Sequence, residues 1–133
     1  PKDFTDVCLT EIAAFDQLTK AFADRDAVLL GGSTDNEFVK LAWRRAEPSL
    51  DKLGHHSFAD VTGQLVDQLG VRDRHAGVAL RATFIIDADN VIQHVSVNHL
   101  RVGRNPDEIL RILDALQTGA LCPCNRPVGG ATL

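Results

Sequence analysis

Residues 1–32, PKDFTDVCLTEIAAFDQLTKAFADRDAVLLGG, contain the two patterns that decide the fold class. From residue 10 to about residue 24, apolar side chains recur at spacings of three or four, which predicts a helix that buries one face. The run 27–32 is apolar and ends in two glycines, as is typical of a strand covered by helices on both faces. The stretch therefore predicts a helix followed by a buried parallel strand.

The rest of the chain continues this alternation of helices and strands. Asp35 or Asn36 can cap a second helix that ends before Pro48, and a short strand near 57–59 and a short helix at about 62–69 follow. Two strands at 81–86 and 91–97, separated by turn residues, predict an antiparallel hairpin. Asn105 and Pro106 then begin a last amphipathic helix.

This order of elements is that of an α/β thioredoxin-like fold, in which helices flank a central mixed sheet. Such a sheet normally has a strand before its first helix, whereas residue 1 lies directly in the loop before the predicted helix. We therefore expect the first strands to be missing through an N-terminal truncation. Residues 1–118 are predicted to form the core, and residues 119–133, rich in Gly, Pro and Cys, a C-terminal arm.

Composition excludes several classes of partner. The formal net charge is -4 and the pI about 5.6, with no basic stripe, so no nucleic-acid binding is expected. The longest apolar runs fall far short of the roughly 20 residues that a membrane helix needs, so no membrane association is expected. An odd number of cysteines, three, fits a static disulfide framework poorly and favours redox-active thiols in the cytoplasm.

Cys8 is the first candidate for chemistry. It lies at or just before the first helical turn, where free backbone N–H groups and the helix dipole lower the pKa of a thiol. An isolated cysteine in such a place is more often a small buried apolar residue, so the neighbouring residues have to decide.

Those neighbours form the pattern P-x-x-x-T-x-x-C within residues 1–11, followed by T-E. The segment resembles the active-site motif of the peroxiredoxins, of the alkyl hydroperoxide reductase C (AhpC) type. The resemblance extends through the segments 33–35, 38–43, 80–87, 97–99, 102–104 and 121–123. It implies a typical 2-Cys peroxiredoxin, a thiol peroxidase that reduces hydrogen peroxide, organic hydroperoxides or peroxynitrite without metal, haem or flavin.

The resemblance also implies a role for each motif residue. Cys8 would attack the peroxide, Thr5 would hydrogen-bond it, and Pro1 would shield the pocket from water. Arg81 would stabilise the thiolate and the transition state, and Glu11 would orient Arg81. A surface arginine in an ordinary ion pair is the simpler interpretation of an unplaced Arg81, and the motif outweighs it.

Two cysteines in the arm complete the predicted site. By the same resemblance, Cys122 would resolve the Cys8 sulfenic acid as a disulfide across a homodimer. Cys124 would compete for Cys8 or pass the disulfide onward. The alternative is an unstructured tail with incidental cysteines. Zinc-ligand spacings are missing, and His55-His56 is predicted to be a polar loop, so no metal and no cofactor are expected.

Three departures from the family pattern bear on activity. Asp6 places a carboxylate near the thiol, which we expect to raise the thiol pKa. Leu9 replaces a proline and is expected to loosen the loop. Arg126 replaces a tryptophan and is expected to weaken the packing of the arm against a neighbouring subunit.

The sequence is also compatible with other functions and has several predicted partners. One alternative is a catalytically impaired relic that acts as an interaction or redox-relay subunit. A thioredoxin-type oxidoreductase would need C-x-x-C, and Cys8-Leu9-Thr10-Glu11 does not supply it. Predicted partners are a second copy, joined through strand 91–97, or a ring of such dimers. The predicted reductant is thioredoxin, a dedicated flavoprotein or an adaptor reductase.

Overall fold

The computed structural model describes residues 1–133, which form five α-helices and four β-strands. The helices are α1 (Asp6–Gln17), α2 (Thr19–Ala23), α3 (Glu37–Ala46), α4 (Gln64–Gln68) and α5 (Pro106–Gln117). The strands are β1 (Leu30–Ser33), β2 (His56–Ala59), β3 (Arg81–Ile86) and β4 (Ile92–Asn98), and a 3₁₀ turn covers Pro48–Leu50. None of the helices combines the length and apolar character needed to span a membrane.

The first helix differs from its prediction at both ends. It begins at Asp6 rather than near residue 10, with Thr5 as N-cap in an extended conformation. It ends at Gln17, and a break at Leu18 separates it from α2. The apolar spacing continues through the break because both helices pack Phe15 and Phe22 against α5, so periodicity alone gave one long helix.

The strands pair in two separate sheets. β1 and β2 are parallel, with Leu30 opposite His56, and β3 and β4 form the predicted antiparallel hairpin. A Cβ at Gly32 would collide with the ring of Phe58 on β2, which explains the glycine at this point of close approach. The sequence predicts one mixed sheet, whereas the structure has two separate pairs of strands with no pairing between β1 and β3.

The prediction that 27–32 is a strand buried on both faces is wrong for this chain. The strand covers only Leu30–Ser33, and Val28 and Leu30 are 82% and 60% exposed. The physical reason is that β1 has a strand beside only one edge, so fewer elements cover its apolar residues.

Two apolar clusters hold the helices together. The larger joins α1 and α2 to α5 through five buried residues, namely Phe15, Phe22, Ile109, Leu110 and Leu113. The smaller contains Cys8, Trp43 and Leu50, and it joins α1, α3 and the 3₁₀ turn. Leu9 packs against this second cluster. The sulfur of Cys8 is therefore part of the packed interior.

The prediction of a polar loop at His55-His56 is wrong in part, because His55 lies in the bend before β2 but does not face solvent. Its side chain is buried, with Nδ1 2.8 Å from Oδ1 of Asp16, while His56 begins β2. Asp16 also accepts a hydrogen bond from the backbone N–H of Gly54, so one carboxylate fixes the turn that leads into β2. A partner 39 residues away in sequence could not be inferred from the local pattern.

The C-terminal segment 119–133 has no helix or strand but is anchored on α5. Nη1 of Arg126 donates to Asp114 at 2.7 Å, and the backbone N–H of Gly129 donates to the same carboxylate at 2.9 Å. The Arg126 side chain is buried by this contact. Within its own subunit, Arg126 therefore anchors the C-terminal segment on α5. The expected weakening of its packing against a neighbouring subunit stays a prediction.

Candidate active site

Cys8 lies in the first turn of α1 and is only 5% exposed. Thr5, the N-cap, makes no side-chain capping hydrogen bond. The Thr5 side chain therefore leaves the N–H groups of this turn unoccupied, and a negative charge is favoured at this end of the helix. Cys8 packs in one apolar cluster with Trp43 and Leu50.

Arg81, the first residue of β3, reaches the sulfur from the sheet. Its Nη1 donates to Sγ of Cys8 at 3.3 Å and to Oε2 of Glu11 at 2.7 Å. Its Nε donates to the carbonyl of Leu100 at 2.7 Å. Because the guanidinium is held at both ends and buried, it presents a fixed positive charge to the sulfur.

Glu11 lies three residues after Cys8 on α1, a spacing that places both side chains on one face of the helix. Besides Arg81, its carboxylate accepts from the backbone N–H, Nε and Nη2 of Arg104, at 2.8, 3.0 and 2.9 Å. Burial alone would raise the Glu11 pKa, but the hydrogen bonds and charge of Arg104, with the charge of Arg81, hold it below its usual value.

Arg104 is a site residue that the sequence reasoning did not select. It connects Glu11 to the sheet, because its Nη1 also donates to the carbonyl of Ala82 on β3 at 2.7 Å. The only signal in the sequence was its place in the segment 102–104, which belongs to the resemblance but carried no assigned role.

The pKa of Cys8 is lowered, contrary to the expectation from Asp6. Burial acts to raise the pKa, but hydrogen bonds from Thr5, from the Lys2 backbone and from Arg81 outweigh it. The Asp6 side chain belongs to an exposed residue, where water screens its charge, so it does not reverse this result.

Thr5 and Pro1 complete the surroundings of the sulfur. The Thr5 hydroxyl donates to the carbonyl of Lys2 at 2.7 Å. A hydroxyl has one proton, so the donation to the thiolate that lowers its pKa, or donation to a bound molecule, requires the Thr5 hydroxyl to turn away from this carbonyl. Pro1 is half-buried and lies near Cys8, Arg81 and Arg104.

The other two cysteines lie elsewhere. Sγ of Cys122 is 3.4 Å from Oγ1 of Thr118 and 3.7 Å from the carbonyl of Ala115, at the end of α5. Cys124 is exposed, and all three cysteines are free thiols. The fold thus brings together five of the seven predicted site residues, Pro1, Thr5, Cys8, Glu11 and Arg81, and leaves Cys122 and Cys124 apart from them.

Comparisons with known proteins show the family to which the chain belongs. The sequence profile of the AhpC/TSA family matches residues 1–95. Alkyl hydroperoxide reductase C of Mycolicibacterium smegmatis is 51% identical over 133 residues, which are all of this chain and 68% of that protein. The chain belongs to the AhpC/TSA family of peroxiredoxins. Peroxiredoxin TSA1 of Saccharomyces cerevisiae is 43% identical over 140 aligned positions and is covered to 71% of its length.

Solved structures place this peroxiredoxin in the same fold. The reduced 2-Cys peroxiredoxin of Plasmodium vivax superposes with a TM-score of 0.90 at 38% identity, covering 99% of this chain and 72% of that one. Mycobacterium tuberculosis AhpC gives 0.85 at 50% identity, covering 94% and 70%. The predicted thioredoxin-like fold class is confirmed, and so is the enzyme class, a thiol-dependent peroxidase.

No group of three or more His, Cys, Asp or Glu side chains in residues 1–133 is arranged to hold a metal ion. The polar groups near Cys8 instead pair with one another, two guanidiniums with one carboxylate. What this arrangement can do is hold a thiolate beside fixed hydrogen-bond donors.

Proposed function

We propose that this peroxiredoxin reduces hydrogen peroxide and organic hydroperoxides, peroxynitrite included as a third substrate, with Cys8 as nucleophile. The observation that carries the proposal is the hydrogen bond from Arg81 to a buried sulfur in the first turn of α1. The name of the mycobacterial relative, alkyl hydroperoxide reductase C, supports alkyl hydroperoxides as one substrate class. The relic hypothesis is not favoured, because Glu11 and Arg81 are both in place.

In the proposed first step, the Cys8 thiolate attacks one peroxide oxygen. A sulfur–oxygen bond forms, the oxygen–oxygen bond breaks, and the other oxygen leaves as hydroxide, as alkoxide or, from peroxynitrite, in nitrite. Arg81, and the Thr5 hydroxyl once it turns from the Lys2 carbonyl, would donate hydrogen bonds to that oxygen as it gains negative charge. Pro1 would exclude water from the pocket, and Glu11 with Arg104 would keep the guanidinium of Arg81 in place.

Trapping of the sulfenic acid tests this step. We expect one equivalent of peroxide to give a dimedone adduct on Cys8 in a variant that lacks both arm thiols, Cys122→Ser/Cys124→Ser. An ordinary thiol ionises with a pKa of about 8.5. Because the pKa of Cys8 is lowered, adduct formation is expected to stay fast below that pH. Peptide mass spectrometry locates the adduct, and a loss of fast labelling at neutral pH would contradict the assignment.

In the proposed second step, the Cys122 thiol of a partner subunit attacks the sulfenic sulfur of Cys8. A disulfide forms and water leaves. The anchoring of 119–133 on α5 supports a resolving role, because Cys122 sits at a fixed place on the surface rather than on a free tail. Cys124, which is exposed, is proposed to compete for Cys8 or to accept the disulfide later.

Disulfide-linked dimers distinguish the two arm cysteines. After one equivalent of peroxide, non-reducing gels are expected to show a linked dimer for Cys124→Ser and none for Cys122→Ser. Serine differs from cysteine by one atom, so each variant serves as the matched control of the other. The opposite result would assign resolution to Cys124.

The homodimer is proposed to form by pairing of the free edge of β4 with its copy. β4 pairs only with β3, and its outer residues Val95 and Val97 are about half exposed. The free backbone N–H and C=O groups of such an edge can form hydrogen bonds with a second strand. Both Val95→Pro and Val95→Lys are expected to give monomers in sedimentation velocity while far-ultraviolet circular dichroism is unchanged. A dimer that persists in both folded variants would move the interface elsewhere.

Recycling requires a dithiol donor. We propose a thioredoxin-like reductant, with a flavoprotein or an adaptor reductase as the other possible forms of this partner. Three free thiols suit the reducing cytoplasm, and we propose that location. Cell fractionation checks the location, and loss of turnover in a purified mixture without a dithiol donor checks the reductant class.

A further inference from the structure

A second polar cluster, separate from the Cys8 pocket, holds the loop that leads into it. Asp3 and Lys40 form an ion pair whose side chains are 7% and 12% exposed. Nζ of Lys40 lies 3.3 and 3.4 Å from the two carboxylate oxygens of Asp3, and 2.6 Å from Oγ of Ser33. An ammonium group has three protons, so these partners account for its donors.

The same cluster binds the loop backbone. The N–H of Asp3 donates to Oδ2 of Asp35 at 2.7 Å, and Oγ of Ser33 donates to Oδ1 of Asp3 at 3.2 Å. Ser33 ends β1 and Lys40 lies on α3. The loop is therefore attached to two elements that do not carry Cys8.

Phe4, next to Asp3, shows that this loop conformation needs such support. Its φ of +57° lies in the left-handed region, which is unfavourable for a bulky residue. Its ring packs on Trp43, with centroids 5.7 Å apart. Trp43 follows Lys40 by three residues, so one face of α3 contacts the loop at both Asp3 and Phe4.

We propose that the Lys40–Asp3 ion pair is a latch that controls how readily Cys8 leaves its pocket, and thereby how its sulfenic acid is divided between two fates. The inference rests on the proposed function of Cys8. With 5% exposure and Trp43 and Leu50 packed around it, the sulfur cannot reach Cys122 of another subunit until the loop and the start of α1 move. Lys40 and Asp3 are positioning residues, since neither touches the sulfur.

The two fates have defined stoichiometry. In the first, the sulfenic acid and the Cys122 thiol give a disulfide and water. In the second, the sulfenic acid, still in its pocket, reacts with another peroxide to give a sulfinic acid and an alcohol or water. The first requires the loop to open, and the second requires it to stay closed. A stronger latch therefore favours over-oxidation.

The experiment compares Lys40→Gln, Asp3→Asn and the double variant Asp3→Asn/Lys40→Gln, which leaves no unpaired buried charge. Lys40→Arg retains the charge, and Lys20→Gln removes a lysine from the exposed Lys20–Asp24 pair as a matched control. Trp43, the sole tryptophan, lies beside Cys8, so stopped-flow fluorescence can follow both steps. Mass spectrometry measures the ratio of disulfide to sulfinic acid on Cys8 over a series of peroxide concentrations.

We expect the two single variants and the double variant to raise that ratio about tenfold, the scale of losing a charge-assisted hydrogen bond, while Cys8 oxidation stays within about twofold of the parent rate. Lys40→Arg and Lys20→Gln are expected to keep the parent ratio. If the ion pair had a merely structural role, its removal would lower the melting temperature. It would also slow Cys8 oxidation and disulfide formation together, so the ratio of disulfide to sulfinic acid would be unchanged. An unchanged ratio in the folded variants overturns the latch.

Failure of the underlying function gives a different result. If the parent protein itself acquires neither disulfide nor sulfinic acid on Cys8, the assignment of the nucleophile is wrong, and the latch proposal, which depends on it, is wrong too. If the parent is oxidised at Cys8 and all variants divide the products as it does, only the latch is wrong.

Discussion

Replacing Cys8 by serine is expected to abolish peroxide consumption. A serine hydroxyl is not ionised at neutral pH, whereas the Cys8 thiol has a depressed pKa and a guanidinium 3.3 Å away. Loss of a covalent nucleophile costs on the order of 10⁴-fold or more in rate. Stopped-flow peroxide consumption, measured with an excess of dithiol donor, checks the prediction.

Cys124→Ser is the matched control, because the same one-atom change is made at an exposed thiol outside the pocket. Its first-step rate constant is expected to equal that of the parent. Peroxide consumption by Cys8→Ser at the parent rate would assign the nucleophile to one of the two arm cysteines, and the geometry around Cys8 would then need another explanation.

The parts of the fold that the sequence predicted well are those with local signals. Asn105 caps α5 by accepting from the backbone N–H groups of Asp107 and Glu108, as its position before Pro106 indicated. The turn residues between β3 and β4 likewise predicted the hairpin, and β3 begins and ends as expected. Caps and tight turns depend on a few neighbouring residues, so single positions suffice to identify them.

The predictions that were wrong depended on distant residues. Exposure of β1 depends on which strands lie beside it, and the burial of His55, in the bend before β2, depends on its contact with Asp16 on α1. The lowered thiol pKa results from donors that outweigh burial, whereas Asp6, close in sequence, is exposed. In each case the deciding neighbours could not be identified from their distance along the sequence.

The site itself was predicted through resemblance, not through periodicity. Nothing in the local pattern places Arg81 beside Cys8, which lies 73 residues earlier. Arg104, 93 residues after Glu11, was missed for the same reason. A motif names the reacting residue and its immediate neighbours, and the residues that hold them in place become visible only with the tertiary structure.

The second large effect is expected for Glu11→Gln. The buried Glu11 carboxylate is the anion that pairs with both Arg81 and Arg104. The neutral amide in Glu11→Gln would leave these two positive charges near each other with no negative charge between them. Removing one member of a buried charged group typically costs about 3–5 kcal/mol of unfolding free energy. That is a large share of the roughly 5–15 kcal/mol that stabilises a domain. Urea denaturation followed by Trp43 fluorescence measures it.

Glu108→Gln is the matched control. Glu108 pairs with Arg111 on the surface, so this substitution is expected to change the unfolding free energy by less than about 1 kcal/mol.

The pH dependence of the unfolding free energy supplies an independent check. The folded-state pKa of Glu11 is depressed, so its stabilising contribution is complete above the unfolded-state value of about 4.3 and is lost as the pH falls through the folded-state value. The parent should therefore lose stability in this acidic range more steeply than Glu11→Gln does. Equal unfolding free energies for Glu11→Gln and Glu108→Gln would mean that the Arg81–Glu11–Arg104 cluster does not support the fold, and Arg81 would then have to be held beside Cys8 by its bond to Leu100 alone.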